Sequence, residues 1–569
     1  MLLVDEAVIT LARIENTEIA KARRFAQSTL QPLLDRCVKE HLRKDTSEVS
    51  PAESGELLRK MIRVTTDELR RWANGYSSMR WLWMLRRLPH MVFQGRLPTT
   101  SAYDRVLAEV IAGRSVRSTS GVHLSSEGVL RFPIEGAVVN RLLRFCSGAR
   151  FLSRLHRSYR WSGKGAGFRF EKARTPRFVV DPKLQAAVEL YDRRVAEGMV
   201  PLARMGMAVA VVDWSPRLDA LLWVGPTSVP PEVTLPAPGT DIVTANETGV
   251  LATAKARFLG RLISVDSLRG ALADSRLGPA QIATKEVAAL IYLLACAMNL
   301  IISHPAGCYS LVTTGYFIWE REPCLSGLRT MFEELPETLR HVMRAAGLES
   351  GAEAFDVLTQ LSGSEWPLEP GPVVAHAGNP LCLDLVAASG RLETLLEFPP
   401  VQGDVANARA ARFEDDVQAV IAASTWNPPS AIRNLRRRAL KLKRATITDI
   451  DAIGKRGNSL LLVSCKSLVY SREYDTGEYT HIRNAASLVL DAVRQWRVVV
   501  DLLRENPKGD NYDLSSAENL IGIVCTPHVV FVELSEATDF VAPGIRAAAS
   551  VEELRRWLSA ASIETAPPK

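Results

Sequence analysis

The segment Ile447-Thr448-Asp449-Ile450-Asp451, followed after a basic turn by Leu461-Leu462-Val463-Ser464-Cys465-Lys466, constrains this chain more than any other stretch. Two runs of alternating character, Ile447 to Lys455 and Ser459 to Ser467, flank Arg456-Gly457-Asn458 and predict paired strands joined by a tight turn. Side chains on a strand alternate faces, so Asp449 and Asp451 share one face, and Ser464 and Lys466 share one face of the partner. Carboxylates and a lysine therefore converge. That set suits a hydrolase that holds Mg²⁺ with hard oxygen ligands and places a cation beside the attacking water. Cys465 points the other way, with Val463, and reads as packing rather than as a nucleophile.

These residues resemble the core of the PD-(D/E)xK nuclease superfamily, the restriction-endonuclease-like fold. In that pattern an aspartate late in one strand is followed, about a dozen residues on, by an acid, any residue and a lysine in the next strand. Asp451 and Lys466 match; Ser464 stands where the acid would be. The family core begins with a helix that often carries a glutamate, and Phe413-Glu414-Asp415-Asp416-Val417-Gln418 opens a helical stretch in that place. A helix over His481 to Glu505 and strands over Asn519 to Thr526 and His528 to Leu534 complete an αββαβ order across roughly residues 408–558, about a quarter of the chain. The resemblance implies Asp451 and Glu414 as ligands to Mg²⁺ or Mn²⁺, with the backbone carbonyl of Cys465 as a further ligand. Lys466 would orient or activate water, with Ser464 beside it. Some restriction enzymes of this superfamily also have serine before the x-Lys pair and draw the missing carboxylate from beyond the lysine, where Glu473 and Glu478 lie here. Three readings follow: Glu414 and Asp451 suffice, a downstream glutamate substitutes, or the site has lost its metal.

Taken singly, each residue has a plainer explanation. An Asp-x-Asp before a hairpin is often a solvated or turn-capping pair, and a lysine ending an apolar strand often emerges into solvent. Glu414 alone reads as a first-turn residue favoured by the helix dipole. Their joint order carries the nuclease reading.

The chain has 569 residues, 47% of them hydrophobic, with a formal charge of +7 and a pI near 9.0, which favours an anionic partner. From Arg141 to Arg177, eleven Lys or Arg residues accompany one acid, Glu171. Phe145, Phe151, Tyr159, Trp161, Phe168 and Phe170 are interleaved with them. Arg154, Arg157 and Arg160 there suit phosphate contacts, and the aromatics suit base stacking; the plainer reading is a basic helix with buried rings. A second cluster, Arg433, Arg436, Arg437, Arg438, Lys441, Lys443 and Arg444, runs into the Asp451 strand and predicts a basic helix that grips the nucleic-acid backbone beside the carboxylates.

Length and punctuation predict a multidomain α+β protein. Residues 1–180 form a mainly helical basic module, with helices over Glu53 to Asn74 and Ser77 to Arg87. Residues 181–403 form a mixed α/β region, and residues 404–569 the nuclease-like domain. In the middle region, Met207 to Trp214 and Leu218 to Val224 read as strands about Ser215-Pro216-Arg217, Leu277 to Ser303 and Cys324 to Ala346 as helices, and Trp366 to Pro372 and Phe398 to Gly403 as breaks. The apolar run Val287 to Ile302 falls short of the ~20 residues of a membrane span and reads as a buried helix. The eight cysteines and nine histidines are scattered without zinc or disulfide spacing. The amino terminus lacks a signal-peptide pattern, and the expected location is cytoplasmic. The expected activity is metal-dependent endonucleolytic hydrolysis of phosphodiester bonds, with DNA as substrate. A bacterial defence or restriction-type effector is the analogous protein class, and a second copy or a protein partner remains open. The competing readings are a catalytically silent nucleic-acid-binding protein and an interaction scaffold.

Overall fold

The computed structural model describes residues 11, 13–42, 46–88, 98–113, 123–124, 130–132, 134–171, 174–179, 181–198, 207–208, 218–226, 232–236, 251–255, 257–264, 284–302, 307–361, 371–376, 380–397, 405–468 and 471–563. The protein is a mixed α+β assembly. Among the described residues, no helix is long and apolar enough to cross a membrane.

The amino-terminal part is built on long helices: α1 (Asn16–His41), α2 (Pro51–Ala73), α3 (Ser78–Arg87), α4 (Pro98–Gly113), α5 (Gly136–Gly163) and α6 (Pro182–Gly198). Helix α2 starts where Ser50 caps the Glu53 N–H and Pro51 occupies the first turn. Its Leu57, Leu58, Met61, Ile62 and Leu69 recur at helical spacing and are buried. A three-stranded sheet, β1 (Thr46–Val49), β2 (Phe168–Glu171) and β3 (Arg177–Phe178), closes one side. The rings expected to stack on bases lie mostly inside: Phe145, Phe151, Tyr159, Phe168 and Phe170 are buried in this core. Burying rings of this size offers more than exposure does. Trp161 stacks instead on Phe178, with centroids 5.0 Å apart.

In the middle region the order β4 (Met207–Ala208), β6 (Phe258–Ser264), β5 (Ala220–Pro226) separates the two stretches expected to pair about Ser215-Pro216-Arg217. The turn residues themselves lie outside the described residues, as do most of the expected breaks at Trp366 to Pro372 and Phe398 to Gly403. Helix α7 (Lys285–Ile302) is the expected apolar run, buried from Val287 to Ile301 except at Asn299. The helix expected over Cys324 to Ala346 is two, Arg321–Glu333 and Glu337–Ala345, broken where Pro336 caps the second. Strands β7 (Tyr316–Glu320), β8 (Val374–His376) and β9 (Pro380–Asp384) form an antiparallel sheet that leads into α8 (Leu385–Glu397).

The carboxy-terminal part holds the hairpin. After α9 (Val405–Ala422) come a small hairpin, β10 (Leu440–Leu442) and β11 (Ala445–Thr448), and then β12 (Ala452–Arg456) and β13 (Ser459–Cys465). Helices α10 (Arg472–Thr476) and α11 (Tyr479–Glu505), strands β14 (Asn519–Thr526) and β15 (Ala548–Ser550), and α12 (Val551–Ile563) follow. The sheet runs β12–β13–β14–β15, antiparallel at the first pair and parallel at the others. Strand β13 is central, so both its faces are covered. Leu460 and Leu462 meet Val489, Val493 and Trp496 of α11, while Leu461 and Val463 meet Phe413, Val417 and Ile421 of α9 and Leu554 of α12.

Three local expectations are corrected. The strand expected from Ile447 to Lys455 is divided: Ile447 and Thr448 end β11, and a new pairing begins at Ala452. The expected basic helix is a four-residue helix, Ser430–Arg433, followed by a turn and the β10–β11 hairpin. Arg437, Lys443 and Arg444 adopt left-handed φ values of 57°, 49° and 69°, which a helix does not accommodate. The strand expected over His528 to Leu534 is unpaired. Its alternation serves two cores instead: Val529 and Phe531 pack into the amino-terminal core, and Val530 and Val532 under α11. The Phe531 N–H is satisfied by the Tyr474 hydroxyl at 2.7 Å rather than by a strand.

Candidate active site at the open end of the hairpin

The hairpin turns through Gly457 and Asn458, with Gly457 at φ 55°, and pairs Arg456 with Ser459 down to Ala452 with Val463. Asp451 therefore stands just beyond the ladder, across from Ser464. Its Oδ2 accepts the N–H of Cys465 at 2.6 Å, which ties the aspartate to the residue between Ser464 and Lys466. Lys466 is held in turn by its own N–H, which donates to the Cys525 carbonyl of β14 at 2.9 Å.

Glu414 arrives from α9, whose axial position is fixed by Gln418. The Gln418 amide donates to the Ile453 carbonyl at 3.0 Å and accepts the Ile453 N–H at 2.9 Å, pairing the open edge of β12 as a strand would. One turn further along α9, Ile421 rests on Gly454, where a Cβ would come within 2.8 Å of its side chain. One turn before Gln418, the same face carries Glu414 toward the start of β12. Glu414 is thus in the third turn of a helix that begins at Val405, not in its first turn.

Two arginines close the arrangement. Arg436 donates from Nε to the Asp451 carbonyl at 2.8 Å and pairs with Asp415. Arg437, held left-handed by its N–H on the Ile450 carbonyl at 2.8 Å, places Nε 2.8 Å from Glu414 Oε2 and a second nitrogen 3.1 Å from Asp415. Burial pushes the Asp451 carboxyl above its ordinary value; Glu414 and Asp449 push the same way, and the Cys465 N–H and Lys466 oppose them. Burial, with nearby Cys525, Asp451 and Glu414, pushes the Cys465 thiol well up, so it is a packing group on the α9 face and not a thiolate.

No family model, curated protein or solved structure matches this chain. The site therefore stands on its own geometry. Among the described residues, no three His, Cys, Asp or Glu side chains gather to hold a metal ion. The donors at hand are the Asp451 and Glu414 carboxylates with Ser464 beside them. Glu478 does not join them: as the residue capping α11, it accepts from the Tyr159 hydroxyl at 2.8 Å and pairs with Arg59. Glu473 is exposed in α10.

The remaining basic candidates divide by place. Arg438, Lys441 and Lys443 are exposed on the turn and hairpin that follow Arg437. Arg154, Arg157 and Arg160 lie on the solvent side of α5, where partial desolvation of the Arg154 guanidinium, with the like charges of Arg150 and Arg157, lowers its pKa. Arg160 pairs with Asp475 of α10 at 3.6 Å. Sequence reading passed over the role of Gln418, although its spacing of four from Glu414 was visible. It also passed over the turning of Arg437 onto the carboxylates, which depends on a left-handed backbone that nothing in the local composition signals.

Proposed function

We propose that residues 405–563 form a restriction-endonuclease-like domain that hydrolyses phosphodiester bonds of nucleic acid, with DNA as substrate, using Mg²⁺ or Mn²⁺. The observation that carries this reading is the contact of Asp451 Oδ2 with the N–H of Cys465. It joins the aspartate to the Ser-x-Lys strand in the sheet register that such chemistry needs. Supporting it are the element order of α9, β12, β13, α11 and β14, and the delivery of Glu414 to the same place.

Mg²⁺ suits this donor set, because it binds through one or two carboxylates and completes its octahedron with waters and substrate phosphates. Asp451 and Glu414 would hold it, and it would supply charge stabilisation at the scissile phosphate. Lys466 adds a fixed positive charge beside the carboxylates and positions the attacking water. Water adds to phosphorus and gives up one proton to solvent, the P–O bond to one sugar breaks, and the leaving oxygen takes a proton from solvent. Arg437 neutralises Glu414 until a cation competes for it. Arg438, Lys441 and Lys443 extend a positive surface from the site toward the phosphates on either side.

A second reading rests on a specific observation. Ser464 stands where a third acid would, and Arg437 already occupies Glu414, which suits a domain that binds nucleic acid without cutting it. The test is incubation with plasmid, linear duplex and single-stranded DNA and with RNA, with Mg²⁺ or Mn²⁺. Cleavage lost in Asp451→Ala and in Lys466→Ala supports the first reading. Cleavage that persists in both removes the site assignment, and salt-sensitive binding without cleavage supports the second.

A further inference from the structure

Far along the chain from Asp451, helices α3 and α4 of the amino-terminal part meet β5, β8 and α8 of the middle region around a cavity of about 170 Å³. Its walls are largely apolar, with Leu82, Val106, Val110, Trp223, Pro372 and Val386 among them. Its charged groups are Arg86, Glu109, Asp384 and Glu393.

Three of those four are already committed to one another. Arg86, which is 2% exposed, contacts Glu109 through two nitrogens at 2.6 and 2.8 Å, Asp384 Oδ2 at 3.0 Å and the Thr314 carbonyl at 2.8 Å. The other Asp384 oxygen caps α8, accepting the N–H groups of Val386 and Ala387, each at 3.1 Å. Behind this floor, Arg105 lies 3.7 Å from Glu109, and Arg257 donates to the Arg86 and Leu88 carbonyls. Glu393 differs. It projects from α8, has no ion pair among the described residues, and accepts one hydrogen bond, from the Trp223 indole N–H at 3.1 Å. Burial pushes its carboxyl up to about 7. Glu393 is half-buried on the cavity wall, so one face of its carboxylate is turned to the cavity with a single protein donor.

We propose that this cavity binds a small organic cation, with its charged nitrogen on Glu393 and its apolar body against Trp223 and the aliphatic walls. The sign follows from the lining. The donors of Arg86 are taken by Glu109, Asp384 and the Thr314 carbonyl, so an anion finds no free partner there, whereas a cation completes Glu393 and gains the ring beside it. The size follows from the volume. With a water-sized share of about 30 Å³, the space holds on the order of half a dozen non-hydrogen atoms. A methylated or branched alkylammonium fits this limit, and a nucleotide exceeds it. Because α3 and α4 form one wall and β5 and α8 the other, the occupant binds both parts of the protein at once and stabilises their union.

The test is thermal melting and calorimetric titration of the full chain with isobutylammonium and tetramethylammonium chlorides, against isobutanol as the neutral control and pivalate as the anionic one. A saturable rise in melting temperature with at least one cation and with neither control is expected. Glu393→Gln keeps an acceptor for Trp223 and removes the charge, and it should weaken binding by roughly tenfold or more. Glu393→Asp keeps the charge on a shorter arm and serves if the glutamine variant does not fold; it should bind more weakly than the native chain. Equal affinity in the native and both variant chains overturns the proposal. So does stabilisation by pivalate alone, or no saturable response to either cation.

Discussion

The β10–β11 hairpin turns through Lys443 and Arg444, both left-handed at φ 49° and 69°, and its register of Leu442 with Ala445 leaves those two as the whole loop. Asn-Gly is the pair that such a turn favours. A non-glycine residue there costs roughly 1–2 kcal/mol relative to a right-handed conformation, and a glycine loses about 0.5–1 kcal/mol more than other residues on ordering. Replacing Lys443→Asn and Arg444→Gly together should therefore stabilise the carboxy-terminal part by about 1 kcal/mol. For a unit of this size that is a rise of roughly 2–4 °C in melting temperature. The Arg444 N–H that donates to Asp510 Oδ2 at 2.6 Å belongs to the backbone and survives the change. The same variant removes two exposed cations from the surface beside Arg437. If both contact phosphate, the slope of log affinity against log salt should flatten by about 1.8. Calorimetry and fluorescence anisotropy on labelled duplex DNA across a KCl series read the two effects separately. A lower melting temperature refutes the strain argument. An unchanged affinity and salt slope refutes the hairpin as a nucleic-acid contact.

Gln418→Ala should destabilise by about 2–4 kcal/mol, since it strands a buried N–H and carbonyl of Ile453, and chemical denaturation measures it. Gln418→Glu, similar in shape, should recover part of that loss at low pH, where its carboxyl can still donate. Arg437→Ala should tighten Mg²⁺ binding in titration calorimetry, because it frees Glu414 of its competing cation; unchanged affinity would separate Glu414 from the metal. Glu393 ordinarily titrates at 4.5, and burial raises it to about 7 in the folded chain. The folded state then holds the proton more tightly. Its contribution is constant below about pH 4.5, falls as pH rises to about 7, and is constant again above. The fall is at most on the order of 3 kcal/mol, and Glu393→Gln should abolish that slope in a pH series of melts.

The parts of the candidate site that depend on local pattern were legible as geometry. Alternation over Ser459 to Ser467 and the Gly457-Asn458 turn set the hairpin and its register, and Asp451 and Lys466 follow from them by counting. Helix α11 follows from its helical apolar spacing, and strand β14 from a short apolar run, Leu520 to Cys525, whose alternate residues serve the cores on the two faces of the sheet. What was hidden depends on contacts distant in sequence or on backbone sign. Val529 to Val532 alternate like a strand because two different cores claim opposite sides of the segment, a pattern that sequence cannot distinguish from pairing. The arginine run at 436–438 resembles a helix in composition, yet Arg436 and Arg437 turn onto Asp415, Glu414 and the Asp451 carbonyl. The cavity beside Glu393 is assembled from segments hundreds of residues apart, so no local window contains it.

That two-sided segment also bears on how the site is maintained. Between Lys466 and the start of α11, the chain is gripped by the amino-terminal helices. Glu478 meets Arg59 and Tyr159, Asp475 meets Arg160, and a Cβ on Gly477 would come within 2.7 Å of the Arg160 backbone. Tyr474, Ile482, Val529 and Phe531 are buried in the amino-terminal core, not in that of the sheet. Burial of side chains of this size is worth about 1.5–3 kcal/mol each, so a fragment beginning at residue 405 should lose several kcal/mol and expose a contiguous apolar patch. It should aggregate or bind a hydrophobic dye where the full chain does not. Substituting Glu478→Gln in the full chain should loosen the same corner more mildly, and amide exchange across residues 471–482 would report it. If instead the fragment is soluble and as stable as the full chain, the amino-terminal helices do not support the segment that follows β13 and Lys466. The two parts would then be independent units that merely touch.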